Sequence, residues 1–516
     1  MERPCRLWFL LILCGISLSA AAPLRAEEAK KPTEDDYELY QIFADTLDQV
    51  ERNYVKDISR RELMEAAIHG VLNKLDPYSN YISRDDISRF KSSVENQFGG
   101  IGIQIGMEDG QLKIISPLIG TPAYRAGLES GDAILEIEGR STEGIQIDEA
   151  VKQLKGEAGT KVSITIQHPG TRSKETVSLT RELVHVETVL GDRRKTDDSW
   201  DFMLDHDHHI GYIRLTAFSR DTAQDLKKAL VDLEKEGLKG LIIDLRFNPG
   251  GLLNSAIEVS DLFVADGRIV STKGRNTPER IWDAQKDGTF EGFPMAILVN
   301  HFSASASEIL SACLQDNHRA KIIGERTWGK GSVQNVIELE GGKSALKLTT
   351  ASYHRPNGKN IHRFPDAKET DEWGVMPDDG YAVKLSDNQT QRLIRYRRDR
   401  DILIGKHAKA LADEKAQASA ADATKKPAGD GNESKPDEAD KKKEGEQPAA
   451  DKPAGDKPVD GTKPPEATKP VDTTRTVDGE KSPDDAGDDK AEKKPFVDTQ
   501  LQKALDYLNQ ELAQAK

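Results

Sequence analysis

Short, mostly apolar runs alternate with helix-like segments between residues 185 and 385, and this alternation limits the possible folds more than any other feature of the chain. The strand-like runs are 210–215, 241–245, 295–299 and 321–323, and helical patterns separate them at 221–236, 255–263 and 305–314. Strands that are apolar on both faces belong to parallel sheets with helices packed on each side. The sequence therefore predicts an α/β fold with a largely parallel sheet.

The overall composition is too polar for one continuous globule. Only 36% of the 516 residues are apolar and 31% are charged, so a disordered part must dilute the folded part. The net charge of −15 argues against a nucleic-acid partner, because phosphate contacts need a basic face. No second long apolar run follows residue 22, which excludes a polytopic membrane protein.

Residues 1–21 predict an export signal. Arginines precede a nearly continuous apolar run, and small residues follow where a signal peptidase could cut. The run is short for a membrane span, so an uncleaved anchor is the alternative, and the bulky Leu13 disfavours a lipoprotein site at Cys14. We expect a periplasmic or other extracytoplasmic protein, soluble or anchored at its N-terminus. Cleavage leaves Cys313 as its only cysteine, so no intramolecular disulfide can form.

Two regions with different patterns precede the α/β core, which we assign to residues 185–400. Apolar side chains in residues 33–95 recur at three- and four-residue spacing, which predicts amphipathic helices suited to packing or dimerisation. Residues 97–182 contain short β-type runs separated by glycine turns, with one helix at 147–154. We therefore expect a helical region followed by a small, mostly β domain.

Residues 411–495 cannot form a core of their own. They hold 10 of the chain's 23 prolines, no aromatic residue and many charges of both signs. Too little apolar surface is available to offset the entropy of ordering them, so we predict a disordered tether. Residues 496–516 are amphipathic again, with leucines on one face, which predicts a helix that docks on a folded surface.

A cluster of small residues follows the apolar run 295–299 and suits a catalytic nucleophile. The strand leads through Ser303, Ser305 and Ser307 into a helix, which places a serine at the carboxyl edge of the sheet, where α/β proteins bind ligands. The N–H groups at the start of that helix could stabilise an oxyanion. On these residues alone, serines that merely cap the helix explain the pattern as well.

The segment 324–334 nearly matches a phosphate-binding P-loop, but Gly331 stands where the pattern needs Ser or Thr, and a strand follows instead of a helix. We therefore exclude nucleotide binding there. A lysine between glycines can instead enter a cleft, where burial would lower its pKa and make it a competent general base. Lys330 is that candidate, and Gln334 could orient its amine. A lysine on a surface hairpin is the alternative.

The strand 241–245 ends in Asn-Pro-Gly-Gly at the same edge of the sheet. Glycine N–H groups are unobstructed there and could supply a second oxyanion donor. A plain turn explains this segment equally well when it is taken alone.

Together these segments resemble the carboxyl-terminal processing (tail-specific) serine proteases, over about residues 37–381 and again in the last helix. The resemblance implies that Ser305 is the nucleophile, that Lys330 is the general base and that Gln334 orients it. It also implies an oxyanion hole made by the N–H groups of Ala306 and Gly251, a crotonase-like α/β protease core, and no metal or other cofactor.

The same resemblance makes residues 97–182 a PDZ domain that binds apolar free C-termini of protein substrates. The residues implied in this binding form a carboxylate-binding loop and one face of the following helix: Gly100, Ile101, Gly102, Ile103, Ile147, Val151 and Leu154. The family also suggests a homodimer formed through the flanking helices. An adaptor protein is a further candidate partner.

Three other interpretations compete with this one. A metal cluster at 205–209 lacks a second group of ligands nearby in sequence. His301, His354 or His362 could replace Lys330 as the base. Alternatively, the protein is not an enzyme but a PDZ-bearing scaffold whose protease core is inactive. A peptidase assay of Ser305→Ala beside the wild type distinguishes the protease from the scaffold.

Overall fold

The computed structural model describes residues 33–403, 405 and 496–515. The predicted signal at 1–21 and the predicted tether at 411–495 lie outside these residues. The chain divides into two compact units, residues 1–71 and 72–516, which we describe separately. In the described part of the chain, no helix combines the length and the apolar character needed to cross a membrane.

The first unit contains helix α1 (Glu34–Asn53) and most of α2 (Arg60–Asn73). A capping box starts α1, since the Thr33 hydroxyl accepts the Asp36 N–H and the Asp36 carboxylate accepts the Thr33 N–H. No residue of α1 is buried. Its exposed side chains include five large apolar ones, namely Tyr37, Leu39, Tyr40, Ile42 and Phe43.

The region expected to be helical also contains a strand. After α2, the second unit begins with β1 (Asn80–Ile82) and α3 (Ile87–Val94). Strand β1 forms because it pairs antiparallel with residues 345–347, an interaction that the local apolar spacing does not report.

A small antiparallel domain follows. Its elements are β2 (Gln97–Gly100), β3 (Ile103–Glu108), β4 (Gln111–Pro117), α4 (Pro122–Arg125), β5 (Ala133–Ile137), β6 (Arg140–Ser141), α5 (Ile147–Leu154), β7 (Lys161–Gln167), β8 (Glu175–Thr180) and β9 (Glu182–His185). The main sheet has the order β3-β4-β5-β7-β8, and β2 pairs with β9 to join the two ends of the domain. Alternating side chains such as Leu112, Ile114, Ile164 and Ile166 form its core.

The α/β core is built on a second sheet. Its elements are β10 (Val189–Leu190), β11 (Arg193–Arg194), β12 (Trp200–Asp201), β13 (Met203–Asp205), β14 (Ile210–Leu215), α6 (Thr222–Lys235), β15 (Gly240–Asp244), α7 (Leu253–Asp261), β16 (Arg268–Lys273), β17 (Arg280–Asp283), β18 (Met295–Val299), α8 (Ala306–Asp316), β19 (Lys321–Gly324), β20 (Ser332–Leu339), β21 (Ser344–His354), α9 (Asp387–Asp401) and α10 (Thr499–Gln514). Strands β14, β15, β18 and β19 are parallel neighbours in that order. The predicted parallel sheet is therefore confirmed.

Helices cover both faces of this sheet, as the apolar strands require. Ile243 and Ile297 pack in one cluster with residues of α6, α7 and α8. Their neighbours Ile242 and Leu298 point to the opposite face and pack against Leu508 of α10. The C-terminal helix thus completes the second apolar face of the core, which explains its leucine stripe.

Strands β1, β16, β17, β20 and β21 form a separate antiparallel sheet. The long strand β21 pairs with β1, β16 and β20 along its length. It therefore brings the segment before β1 close to β20, the strand that begins just after Lys330.

Candidate active site

The predicted nucleophile lies in a strained turn between β18 and α8. Ser305 is the N-cap of α8, with φ 56° and ψ −112°, outside the regions that L-residues prefer. Ser305 is largely buried, with 8% of its surface exposed to solvent. A tight strand-to-helix turn thus presents this serine at the carboxyl edge of the parallel sheet, next to a helix N-terminus.

Hydrogen bonds distinguish Ser305 from the two serines beside it. The Ser303 hydroxyl donates to the Leu245 carbonyl at 2.8 Å, and the Ser307 hydroxyl donates to the Asn248 carbonyl at 3.0 Å. The Ser305 hydroxyl faces the Glu308 N–H in a capping box, but it donates no hydrogen bond to any group among the described residues. Two serines of the cluster therefore hold the turn, while the third has a hydroxyl that is available for chemistry.

The Asn-Pro-Gly-Gly loop packs directly on this turn. A Cβ on Gly250 would lie 2.8 Å from the Ser305 Cβ, and Gly250 has φ +102°, so only glycine fits. The Gly250 N–H donates to the Asn248 side chain at 2.8 Å and is not free. Within the described residues, the N–H groups of Ala306 and Gly251 have no protein acceptor. These are the two donors that the family resemblance implies, and their role stays a prediction.

Lys330 lies in the segment that joins β19 to β20 and is half-buried. Burial and, to a smaller extent, the charge of the nearby Lys347 lower the pKa of its amine to about 8, although the Glu308 carboxylate opposes both effects. The Tyr78 ring centroid lies 5.4 Å from the Lys330 Nζ. In the described part of the chain, no hydrogen bond joins this amine to the Ser305 hydroxyl. Such contacts are often formed only when substrate binds.

The Glu308 carboxylate connects the nucleophile turn to the lysine segment. Its Oε2 accepts the N–H groups of Ser305 and Lys330, both at 2.8 Å. Its Oε1 accepts the Thr327 hydroxyl and the Gly329 N–H, both at 2.6 Å. Burial raises the pKa of Glu308, and these hydrogen bonds oppose the increase. The sequence analysis did not assign Glu308, although a serine three residues before a glutamate is a capping-box signal.

The residues implied in peptide binding divide into two groups. Ile101 and Leu154 are 2% and 5% exposed and belong to the domain's core. Ile103, Ile147 and Val151 are half-buried, on strand β3 and on helix α5. Gly102 has φ +77°, and a Cβ there would lie 2.3 Å from the Thr121 Cβ, so this loop requires glycine.

Comparison with known proteins identifies the family of the chain. Residues 209–378 match peptidase family S41, residues 89–167 match the PDZ domain, and residues 17–86 match the activating protease CtpB N-terminal domain. A carboxy-terminal-processing protease of Bartonella bacilliformis is 35% identical over 400 residues, which cover 76% of this chain and 89% of that protein. The chain belongs to the carboxy-terminal processing proteases of family S41.

Other relatives carry similar names. The carboxy-terminal processing protease CtpA of Bacillus subtilis is 33% identical over 369 residues, which cover 70% of this chain and 76% of that protein. A solved photosystem II D1 C-terminal processing protease is 28% identical, with a TM-score of 0.37 over 67% of this chain and 92% of the other. The family matches and the names of the relatives make this protein a serine-type peptidase with a PDZ domain before its protease core.

Gln334 has other partners in this protease than the one expected. Its side-chain amide donates to the hydroxyls of Ser332 at 2.8 Å and Thr349 at 3.3 Å, and the Thr349 hydroxyl donates to Asp76 at 3.2 Å. No hydrogen bond joins Gln334 to Lys330 in the residues that the structure describes. Its role in orienting the lysine stays a prediction, and the sequence analysis missed Asp76 and Lys347 beside it.

The histidines proposed as alternative bases have partners of their own. The His301 Nδ1 lies 3.2 Å from the Glu325 carboxylate, and the His354 ring contacts Ser352 and Gly358. His362 lies against Gly331 of the lysine segment, its ring centroid is 6.4 Å from that of Tyr78, and burial lowers its pKa. None of the three hydrogen-bonds to Ser305 in the described structure. In the same residues, no three His, Cys, Asp or Glu side chains form a group that could hold a metal ion.

Glu308→Gln tests the connection between the two loops. The amide would keep one acceptor oxygen but would direct an NH₂ group at donors that the carboxylate now satisfies. We expect the free energy of unfolding to fall by about 2–4 kcal/mol, because hydrogen bonds to a charged group are lost inside the protein. Peptide turnover should fall by a larger factor than the folded fraction does. Chemical denaturation and steady-state kinetics measure the two effects.

Glu338→Gln is the matched control, because Glu338 is exposed on the neighbouring strand β20. It should leave both quantities unchanged. Wild-type stability and turnover in Glu308→Gln would show that the carboxylate does not hold the site together.

Proposed function

We propose that this protein is an exported serine endopeptidase that binds the free C-terminus of a protein substrate on its PDZ domain and cleaves upstream through an acyl-enzyme. Ser305 is the nucleophile and neutral Lys330 is the general base. The N–H groups of Ala306 and Gly251 bind the oxyanion. The relatives' names, which describe carboxy-terminal processing, support this assignment of the substrate class.

The chemistry proceeds in two balanced steps. The Ser305 oxygen adds to the scissile carbonyl carbon while its proton passes to the Lys330 amine, and the negative charge forms on the carbonyl oxygen. The Lys330 ammonium then protonates the leaving nitrogen as the C–N bond breaks, which leaves an ester on Ser305. In the second step, water adds to that ester with the same lysine as base, and the serine regains its proton.

One observation carries this proposal more than any other. In the described structure, Ser305 alone of the three neighbouring serines has a hydroxyl that donates no hydrogen bond, and its backbone is held to that of Lys330 through Glu308. A purely structural serine cluster would not leave one hydroxyl proton without an acceptor near a lysine whose pKa is about 8. Two N–H groups without protein acceptors stand at the same turn.

The PDZ groove between β3 and α5 suits an extended peptide. A substrate strand would add beside β3, with its carboxylate at the loop 100–103 and an apolar terminal side chain against Ile103, Ile147 and Val151. Their partial exposure supports this use, because side chains that belong only to the core would be covered. Ile101 and Leu154 belong to the core of the domain and would support the groove without contacting the peptide.

Export and assembly complete the proposal. Residues 1–21 would direct export, and Cys313 is a buried free thiol whose pKa burial raises to about 12, so it would stay unreactive in an oxidising compartment. The exposed apolar residues of α1 would form a homodimer surface. Residues 411–495 would serve as a passive tether, and an adaptor protein remains a candidate partner.

Ser305→Ala and Lys330→Ala should each lower kcat by about a thousandfold or more while the fold stays intact, because each removes a member of one catalytic unit. The double variant should be little worse than either single variant. Peptide turnover followed by mass spectrometry measures the rates, and circular dichroism checks the fold.

The exposed Ser178→Ala and Lys343→Ala are matched controls and should behave as wild type. Substantial turnover by Lys330→Ala would refute the lysine base and favour a histidine. A wild type without any Ser305-dependent turnover would support the scaffold alternative.

The pH dependence follows from the lysine. Because the neutral amine is the base, kcat/KM should rise with pH along one ionisation near the Lys330 pKa of about 8. Lys347→Gln removes a positive charge that lowers this pKa, so the inflection should move to higher pH. A pH–rate profile of both proteins measures the shift.

Lys343→Gln is the control for the loss of a lysine, since Lys343 is exposed near the turn of the same hairpin. Its profile should coincide with that of the wild type. A plateau already complete near pH 6 in the wild type, or no shift in Lys347→Gln, would contradict this account.

A further inference from the structure

A buried cluster of charges joins the C-terminal helix to the core. Arg246 is 3% exposed, and its guanidinium donates to both oxygens of Asp498, at 2.9 and 2.8 Å, and to the Gln500 side chain at 2.9 Å. Asp498 is the N-cap of α10 and Gln500 is its second residue. On its other side, the guanidinium contacts Asp244 at 2.7 Å. Two segments that lie 252 residues apart in sequence are therefore joined inside the protein.

The charges in this cluster balance only when α10 is docked. Asp244 also accepts hydrogen bonds from Arg397 of α9 and, at 2.7 Å, from the Tyr212 hydroxyl. Two arginines therefore face two aspartates, and one of the aspartates comes from α10. Removal of the Asp498 charge would leave two arginines facing the single carboxylate of Asp244, and an uncompensated positive charge in a buried site is strongly unfavourable. Arg246 would then have to move or to recruit water.

The chain that follows Arg246 reaches the proposed oxyanion donor Gly251 after only five residues, so a movement of Arg246 would displace it. Phe247 follows it at φ 66°, a conformation held in part by its N–H bond to the Asn300 side chain at 3.0 Å. Next comes Asn248, whose carbonyl accepts the Ala304 N–H and whose side chain accepts the Gly250 N–H. Gly250 packs on the Ser305 turn. Hydrogen bonds and close packing thus hold the backbone from Arg246 to Gly251 in one conformation.

We propose that the docked C-terminal helix sets the oxyanion loop, with Asp498 as a positioning residue that acts through Arg246. This inference rests on the proposed function, because it takes the Gly251 N–H as an oxyanion donor. Helix α10, which follows the 85-residue segment 411–495, would thus control turnover without touching the substrate. Undocking of the helix would therefore lower kcat and leave peptide binding intact.

Asp498→Asn in the full chain tests this inference. Asparagine keeps the N-cap oxygen that accepts the Leu501 N–H, so the helix start is preserved while the charge is lost. We expect kcat to fall by about tenfold or more with KM changed by less than about twofold, because an oxyanion donor acts mainly in the transition state. Hydrogen exchange of the amides in 246–251 should become faster. Asp498→Glu keeps the charge and should restore part of kcat.

Asp506→Asn is the matched control, since it removes an exposed carboxylate from the same helix. It should leave kcat and the hydrogen exchange of 246–251 at wild-type values. An unchanged kcat in Asp498→Asn would overturn the inference. A lower kcat without faster exchange in the loop would also overturn it, because the loss would then arise elsewhere.

Two further measurements keep the inference testable. If Asp498→Asn does not fold, Gln500→Met removes a single acceptor of Arg246 and should show the same two changes at smaller size; wild-type values would overturn the inference. If the wild type shows no Ser305-dependent turnover, the proposed function fails. Exchange in 246–251 then decides by itself whether α10 controls the loop.

Discussion

The buried carboxylate of Glu308 holds the two halves of the candidate active site together. Ser305 and Lys330 come from loops that follow two neighbouring parallel strands, and no hydrogen bond joins their side chains in the described structure. Their backbone N–H groups nevertheless share one carboxylate oxygen, at 2.8 Å each. The relative position of nucleophile and base is therefore set by backbone contacts, which leaves both side chains free to adjust when substrate binds.

A carboxylate can occupy this buried position because protein donors surround it. A buried charge is tolerated only when hydrogen bonds replace its hydration, and four donors surround Glu308. The protein uses the same principle at Asp244, where two arginines and a tyrosine hydroxyl supply the donors. Both carboxylates lie beside the loops that would bind the oxyanion, so the rigidity of the site depends on buried charge.

Local sequence pattern was sufficient for much of this structure. The parallel strands were predictable because apolar runs such as 241–245 and 295–299 suit only a sheet covered on both faces. The strand-to-helix turn at Ser305 was predictable because small residues followed such a run. Strand β20 after Lys330, which excluded a P-loop, is present as Ser332–Leu339.

The contacts that were missed join residues far apart in sequence. Strand β1 exists because it pairs with β21, and Lys347 reaches Lys330 through the pairing of β21 with β20. The pairing of Arg246 with Asp498 spans 252 residues and crosses a segment without any motif. The role of Gln334 was predicted from its position after Lys330 and from the family resemblance, whereas its hydrogen bonds to Ser332 and Thr349 depend on the pairing of β20 with β21. Apolar periodicity reports which face of an element is buried but not which polar side chains meet there.

Peptide mapping of the covalent intermediate tests the central claim most directly. The protease would be incubated with an activated ester that acylates faster than it deacylates, quenched in acid, digested and analysed by tandem mass spectrometry. The account predicts a single acyl group on the Ser305 hydroxyl, absent from Ser303 and Ser307 and strongly reduced in Lys330→Ala. An acyl group on another residue, or equal acylation of Ser305 without the lysine, would contradict it.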